Sequence, residues 1–380
     1  MIKNMHLRPD ILFVINDFEF LKTHRLGLIE FLKEQGKNIT VVTDLRNAST
    51  FDLQRMNNNN IALINFNFDR ASINPILNSY YFFKLFRLLF KINPKKLSLI
   101  SAKPAVLGGL CSLFLRLETV FISITGLGYA FISTSTKARI IRKIIFGIYR
   151  IIFIKNNIRV IFQNVDDEEK FIREGLVNTN KSIVIKGNGI DTNLYKRNKY
   201  PKKLTFLFAS RLLIDKGIRE FIESSEKINS DNVEFKVAGD IDLINPNSLS
   251  EDEFRNLKKS DNIQYLGRIE YKKMPELFNS SSVFVLPSYR EGLPQVALEA
   301  ASCGMPLILN NVTGCKECVI ENENGFLTTK GDTLDLINKM NRFIKDPSLI
   351  QSMGNRSRDL IIKNFSKELI YKQFLDLYEN

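Results

Sequence analysis

The 380-residue sequence predicts an α/β protein of two doubly wound, Rossmann-like domains. Three observations carry that prediction. Short apolar runs rich in Val, Ile and Phe alternate with helical patterns from end to end, the texture of buried parallel strands in βαβ units. Twelve such runs occur, too many for one comfortable sheet. The chain is also long for one core and suits two of ordinary size.

In the first half the runs are ILFVIN (11–16), ITVVT (39–43), IALINF (61–66), LSLIS (97–101), VFISITG (120–126), RVIFQN (159–164) and SIVIKG (182–187). In the second they are LTFLFAS (204–210), EFKVAGD (234–240), IQYLG (263–267), VFVLP (283–287) and PLILN (306–310). The polar, basic segment YKRNKYPKK (195–203), with Pro201 inside it, is the expected boundary. Residues 1–195 then form the N-terminal domain and 196–364 the C-terminal one. The closing segment, 365–380, is helical and can pack back on the N-terminal domain.

Hydrophobic residues make up 44% and charged ones 25%, a globular composition and not a disordered one. Lys and Arg outnumber Asp and Glu by 54 to 41, for a net charge of +13. That excess calls for an anionic partner: a phosphorylated ligand, an acidic membrane surface or nucleic acid. Four cysteines form no disulfide framework, so a reducing cytoplasm is expected. The N-terminal apolar run is short and ends in Asn16-Asp17, which fits a first strand better than a signal peptide. No uninterrupted apolar run reaches the roughly 18 residues that cross a bilayer, so no crossing is expected.

Two segments place Lys and Arg at intervals among Phe, Ile, Leu and Tyr: YYFFKLFRLLFKINPKK (80–96) and KARIIRKIIFGIYRIIFIKNN (137–157). Such stretches can lie flat on an anionic membrane surface. Core-facing helices with a basic solvent side would have the same texture. Nucleic acid is not the expected partner, since no zinc-finger spacing, RNA-binding signature or helix-turn-helix accompanies the charge.

The chemistry concentrates in the second half. In FLFASRLLIDKGIREFI, Arg211 and Lys216 follow a strand's carboxyl end, where open α/β sheets bind ligands. Two cations beside a helix N-terminus suit a diphosphate, although alone they equally fit a solvated charge pair. In SYREGLPQVALEAASCGMPLI (288–308), Pro287 ends a strand, Gly292 supplies a turn and Pro294 suits a first helical turn. Glu291 then sits in the loop and Glu299 more than one turn into the helix. Eight residues of helical rise give roughly 12 Å, too far for a shared proton or a shared metal ion. The spacing fits two ends of one clamp on a sugar-diphosphate-nucleoside, with the positive helix N-terminus between them.

The ordered set SRLLIDKG, LGRIEYKKMPELFNSSSVFVLPSYREGLPQVALEAASCGMPLI and NENGFL resembles the family 4 glycosyltransferases of the GT-B fold, which implies that the two Rossmann-like domains face a central cleft. The resemblance covers almost all of residues 183–330. It is looser in the N-terminal half, where THRLGLIEFLKEQGKNITVVT and ITGLGYAF look like bacterial enzymes that extend lipid-linked surface polysaccharides. GNGIDTNLY (187–195), with Asn188 and Gly189, matches the family's interdomain loop. The resemblance implies a retaining, metal-independent transfer from a nucleotide sugar, a UDP-sugar in expectation, to a lipid-linked glycan acceptor at the cytoplasmic face of the membrane. By it, Glu299 holds the ribose hydroxyls, and Arg211 and Lys216 neutralise the departing diphosphate as a metal does elsewhere. Glu291 contacts the donor sugar near the reacting carbon, and the backbone N–H groups of Gly292 and Leu293 orient sugar and phosphate. No cofactor is expected and no nucleophilic residue is required.

On the acceptor side, His24 follows the first strand and can bind a ligand or move a proton near neutral pH; a capping or packing role fits it equally. His6 precedes the first strand. Asp17, Gly126 and Gly128 also fall at strand ends expected to face the cleft. Relatives often carry a histidine after a later N-domain strand, where this chain has Tyr129 as its nearest polar aromatic. Thr313, Gly314 and Glu317 lie in a loop expected near the donor sugar, by likeness to a Gly-x-x-Glu of relatives. Cys315 and Cys318 share that loop, but no second pair or nearby histidine completes a zinc site. The alternatives are a nucleotide-sugar epimerase of similar build, for which two histidines offer little elimination chemistry, and a basic nucleic-acid-binding protein.

Overall fold

A computed structural model describes residues 8–69, 74–126, 135–228, 230–242, 245 and 247–379. Gly128, Tyr129 and His6 lie outside the described residues. The chain forms two compact units, Met1–Asn188 with Tyr371–Asn380, and Gly189–Ile370. The second unit begins at Gly189 and not at 196, because residues 190–197 are bonded into it. Ile190 N donates to Phe365 O (2.8 Å), and Lys367 N donates to Ile190 O (2.9 Å). Tyr195 O accepts from Ser302 Oγ (2.7 Å) and Arg358 Nη1 (3.0 Å), and Arg197 Nη1 reaches Phe278 O (3.2 Å).

The first unit is built on a parallel sheet of β1 (Ile11–Ile15), β2 (Ile39–Thr43), β3 (Ala62–Asn65), β4 (Lys96–Ile100), β5 (Thr119–Ile124), β6 (Ile158–Phe162) and β7 (Ser182–Val184), in the order β3-β2-β1-β4-β5-β6-β7. Every residue of β1 and β2 is buried, which explains why both read as unbroken apolar runs and not as alternations. The order reverses between β1 and β4, so a ligand crevice is expected beyond their carboxyl ends. Helices Pro75–Ile92, Ala102–Leu113 and Thr136–Phe153 pack side by side. Gly108 and Gly109 permit this packing: a Cβ at either would collide with Leu99 of β4 or Ile152 of the next helix. The last helix, Lys367–Glu379, is seated by Tyr378. Its ring meets Phe13 and Phe121 edge-on (5.8 and 4.9 Å), and its hydroxyl lies 2.9 Å from Ser98 Oγ.

The second unit holds β8 (Leu204–Ala209), β9 (Val233–Ala238), β10 (Ile263–Gly267), β11 (Val283–Leu286), β12 (Leu307–Asn310) and β13 (Gly325–Thr328), all parallel, in the order β10-β9-β8-β11-β12-β13. β13 is the strand that the run count missed. It is four residues long, opens on a glycine and follows a turn with Asn322 in the left-handed region (φ 64°). Gly325 pairs with Leu307, and a Cβ there would strike the Leu307 carbonyl, so the strand's first residue could not carry an apolar side chain. The α/β class and the doubly wound order of both sheets agree with the expectation from sequence.

Candidate active site

The second sheet reverses between β8 and β11, and the loops leaving these two strands carry the predicted cluster. After β8, a single 3₁₀ turn, Ile214–Lys216, ends at Gly217 and hands over to helix Ile218–Lys227. Gly217 has φ 76°, and a Cβ there would collide with the Pro287 carbonyl at the end of β11. Only glycine lets the two loops approach this closely. Tyr289 N donates to Asp215 O (2.8 Å) across the same seam.

That approach brings Lys216 Nζ to 2.5 Å from Glu291 Oε1, with both side chains largely buried (18% and 12% exposed). Ser288 Oγ donates to the same carboxylate oxygen at 2.8 Å. The Asp215 carboxyl sits in the same field, and burial raises its pKa. Arg211 is not part of this contact. Its Nη1 reaches Asp242 Oδ2 at 3.0 Å, and half of its side chain is exposed. An exposed pair of this kind is worth about 0–1 kcal/mol, so Arg211 can exchange Asp242 for an anionic ligand at little cost.

The loop bearing Glu291 is held from behind. Glu291 N donates to Thr313 O (3.1 Å), and Gly314 (φ 80°) leaves room for the Glu291 and Gly292 carbonyls, which would lie 2.6 Å from a Cβ there. Thr313, Gly314 and the Gly292 backbone are thus adjacent. Glu317 lies beyond them on a short turn, Lys316–Cys318. Leu293 is buried in the core of the unit. Cys315 and Cys318 are buried, and burial drives the Cys315 thiol well above its usual range.

Glu299 belongs to a different environment. It stands in helix Gln295–Ser302, which starts directly after Pro294, and is 4% exposed. Gln295 Nε2 lies 3.5 Å from Glu299 Oε1, and the rings of Tyr195 and Tyr271 close on the site 6.1 Å apart. No cation pairs with Glu299 among the described residues, and burial pushes its carboxyl up to about 8. The two glutamates of the motif therefore have separate partners, as two ends of one ligand require and an acid–base couple does not.

Two family models match the chain: "Glycosyl transferase 4-like" over residues 10–164 and "Glycosyl transferases group 1" over residues 190–360. The chain is a family 4 glycosyltransferase of the GT-B fold. This glycosyltransferase is 28% identical over 370 residues to the N,N'-diacetylbacillosaminyl-diphospho-undecaprenol alpha-1,3-N-acetylgalactosaminyltransferase of Campylobacter jejuni, covering 93% of this chain and 94% of that one. It is 29% identical to the UDP-Gal:alpha-D-GlcNAc-diphosphoundecaprenol alpha-1,3-galactosyltransferase of Escherichia coli, over 77% of each chain. In fold it is similar to sucrose-phosphate synthase from Thermosynechococcus elongatus (TM-score 0.78, 18% identity, 98% of both chains). Anabaena HepE in complex with UDP is also similar (TM-score 0.75, 19% identity, 97% and 99%).

In the glycosyltransferase's first unit, Asp17 and His24 follow β1 as expected. Asp17 caps helix Phe18–Phe20, its Oδ1 accepting from Phe20 N at 2.9 Å. His24 lies in a π-helical turn, Leu21–Arg25, stacked on Phe20 (4.5 Å between ring centres) with Thr23 Oγ1 2.6 Å from Nδ1. Burial drops its pKa to about 4. Of the roles open to it from sequence, the packing one is seen in the stack on Phe20, and the lowered pKa leaves a neutral imidazole near pH 7 that can accept or donate a hydrogen bond. Gly126 (φ 143°) follows β5, and Gly189 (φ 79°) opens the second unit directly after the buried Asn188.

Sequence reasoning passed over two supporting residues. Ser288 follows Pro287 and shares the Glu291 carboxylate with Lys216. Asn310, the last residue of β12, is 1% exposed and donates through Nδ2 to Pro287 O (2.8 Å) and Ser288 O (3.1 Å), while accepting from Thr328 Oγ1 (2.7 Å). The signal was present in principle, as a polar residue closing an otherwise apolar strand.

Proposed function

We propose that this glycosyltransferase moves a hexose or N-acetylhexosamine from a UDP-sugar to a lipid-linked glycan acceptor, with retention of anomeric configuration and without a metal ion. The observation that carries the reading is the meeting of Lys216, Glu291 and Ser288 beyond the carboxyl ends of β8 and β11. A buried ammonium in that place supplies fixed positive charge to a departing diphosphate, and Arg211 joins it by leaving Asp242. Glu291, anchored by Lys216 and Ser288, offers its second oxygen to hydroxyls of the donor sugar. The backbone N–H groups of Gly292 and Leu293 orient sugar and phosphate, with Thr313, Gly314 and Glu317 beside them. Glu299 takes the ribose, whose two hydroxyls satisfy a buried carboxyl group that no cation among the described residues pairs with.

The acceptor class is supported by the relatives, both of which act, by their names, on a sugar carried on diphospho-undecaprenol. The UDP donor is supported by the Escherichia coli relative's name. An acceptor of that kind puts the enzyme to work at the cytoplasmic face of a membrane, in surface polysaccharide or glycoconjugate synthesis. The test is transfer from a panel of radiolabelled UDP-sugars to polyprenyl-diphosphate-linked sugars, with and without EDTA. Chelator-insensitive transfer and an α-linked product by NMR are expected. A folded protein that neither binds a nucleotide sugar nor transfers from any donor overturns the reading.

A further inference from the structure

Helices Pro75–Ile92, Ala102–Leu113 and Thr136–Phe153 form one layer of the first unit. Together they carry nine Lys and Arg residues and no Asp or Glu. The same layer concentrates exposed apolar side chains. On Pro75–Ile92 the inward positions Tyr81, Leu85, Leu89 and Ile92 are buried, while Tyr80, Phe83 and Phe90 are 57–69% exposed. On Thr136–Phe153 the exposed positions Ile144 and Ile151 fall seven residues apart on one stripe, with the exposed Lys143 and Arg150 directly beside it. Phe114, 71% exposed at the end of Ala102–Leu113, meets Phe86 of the first helix edge-on at 6.4 Å. Nine of the eighteen large hydrophobic side chains exposed among the described residues lie between Ile76 and Ile154. None of the three helices is apolar enough to cross a bilayer.

We infer that this three-helix face docks on the surface of an anionic lipid bilayer, lying in the interface with its Phe and Ile side chains among the acyl chains. The charge decides the occupant. A second copy of the chain would set the exposed Lys84, Arg87, Lys91, Arg139, Lys143 and Arg150 against their own copies, with no Asp or Glu on these helices to offset the repulsion. A nucleic acid would neutralise the cations but leave the Ile144–Ile151 stripe and the exposed phenylalanines uncovered. A lipid surface satisfies both features, since acyl chains accept the apolar stripe and anionic head groups meet the basic one. Surface cations contribute about 1 kcal/mol each near such a membrane, so binding depends on anionic lipid and on salt. The inference deepens the reading of the acceptor as lipid-linked but stands on the first unit's helices alone.

The test is flotation of the full-length protein with vesicles, without donor or acceptor. The vesicles are phosphatidylcholine alone or phosphatidylcholine mixed with phosphatidylglycerol, each at low and high salt. Binding at least about tenfold tighter to the mixed vesicles is expected, weakened by salt. The variant I144S/I151S should float at least about tenfold less, each lost side chain removing apolar area from the contact. Both positions are more than half exposed, so an unchanged melting temperature checks the fold. L334S, altering an exposed leucine of the second unit (65%), should bind as the wild type does. Equal binding to both vesicle types, undiminished binding by I144S/I151S, or salt-sensitive binding to duplex DNA in place of vesicles would overturn the inference. Nucleotide-sugar binding measured in the same preparation separates this outcome from failure of the transferase reading: a protein that binds donor but no vesicle sinks the docking surface alone.

Discussion

Lys216 and Glu291 lie 75 residues apart in sequence, and their charged ends meet at 2.5 Å in a largely buried setting. The pair joins the loops that leave the two strands at the reversal of the second sheet. Breaking it strands one buried charge, so each partner's removal should cost more than the contact itself returns. K216A should lower kcat by about 10²–10³-fold, the usual loss when one preorganised donor to a developing anion is removed. E291A should lower kcat with a smaller change in donor KM. A double-mutant cycle on transfer rates should show the two losses to be non-additive; additive losses would mean that the pair does not act as a unit.

Glu299 should govern nucleotide affinity. E299A should weaken UDP binding while the protein still folds, measured by calorimetry. Its folded-state carboxyl is raised to about 8 against an ordinary 4.5, so the folded protein holds a proton that the unfolded chain has released. Stability from this group is full below about pH 4.5 and falls as pH rises towards 8. The melting temperature of E299Q should therefore decline less across that window than that of the wild type. Ribose hydroxyls favour the charged form, so UDP binding near pH 7 should release a proton, visible as a dependence of binding heat on the buffer's ionisation enthalpy.

His24 shows the opposite sign. Burial lowers its pKa to about 4 from 6.5, so the unfolded chain binds the proton that the folded one refuses. The stability it contributes is present above pH 6.5 and is lost as pH falls towards 4. H24Q should flatten the acid limb of the melting curve between those values. It should leave no new limb near neutral pH in the kcat profile, because the native imidazole is already uncharged there.

Asn310 is a buried support for the loop that carries Ser288 and Glu291. N310A leaves the Pro287 and Ser288 carbonyls without their side-chain donor, at about 1–3 kcal/mol for each unsatisfied group. Denaturant unfolding should show that loss, and kcat should fall as the loop carrying Ser288 and Glu291 loosens. A variant with native stability and native kcat would remove Asn310 from any supporting role.

G217A combines two penalties at one atom: a left-handed backbone (φ 76°) and a Cβ with no space beside the Pro287 carbonyl. The expected cost is about 1–3 kcal/mol or more. The seam between the two loops should open and carry Lys216 away from Glu291, so that kcat falls together with melting temperature.

Much of this was legible in the chain itself. Buried parallel strands are covered on both faces, so their sequences become apolar runs, and twelve of the thirteen described strands could be located from that texture. β13 escaped because its first residue must be glycine to pass the Leu307 carbonyl, which removes the apolar signal. The glutamate pair, Arg211 and Lys216 were visible through their spacing around a strand end and a proline-started helix, features that local chemistry imposes.

What the linear sequence determined was the set of elements and the residues able to do chemistry, because backbone sterics and hydrophobic periodicity act over a few neighbours. The partners were decided only by tertiary structure. Nothing in the linear order of residues makes Arg211 face Asp242 while Lys216 faces Glu291, or stacks a half-buried His24 on Phe20. Nor did it show that two basic, aromatic segments form one carboxylate-free layer with a third helix between them. Charge interactions and burial depend on distance through space, and that distance is set by strand order and by where glycines allow backbones to touch.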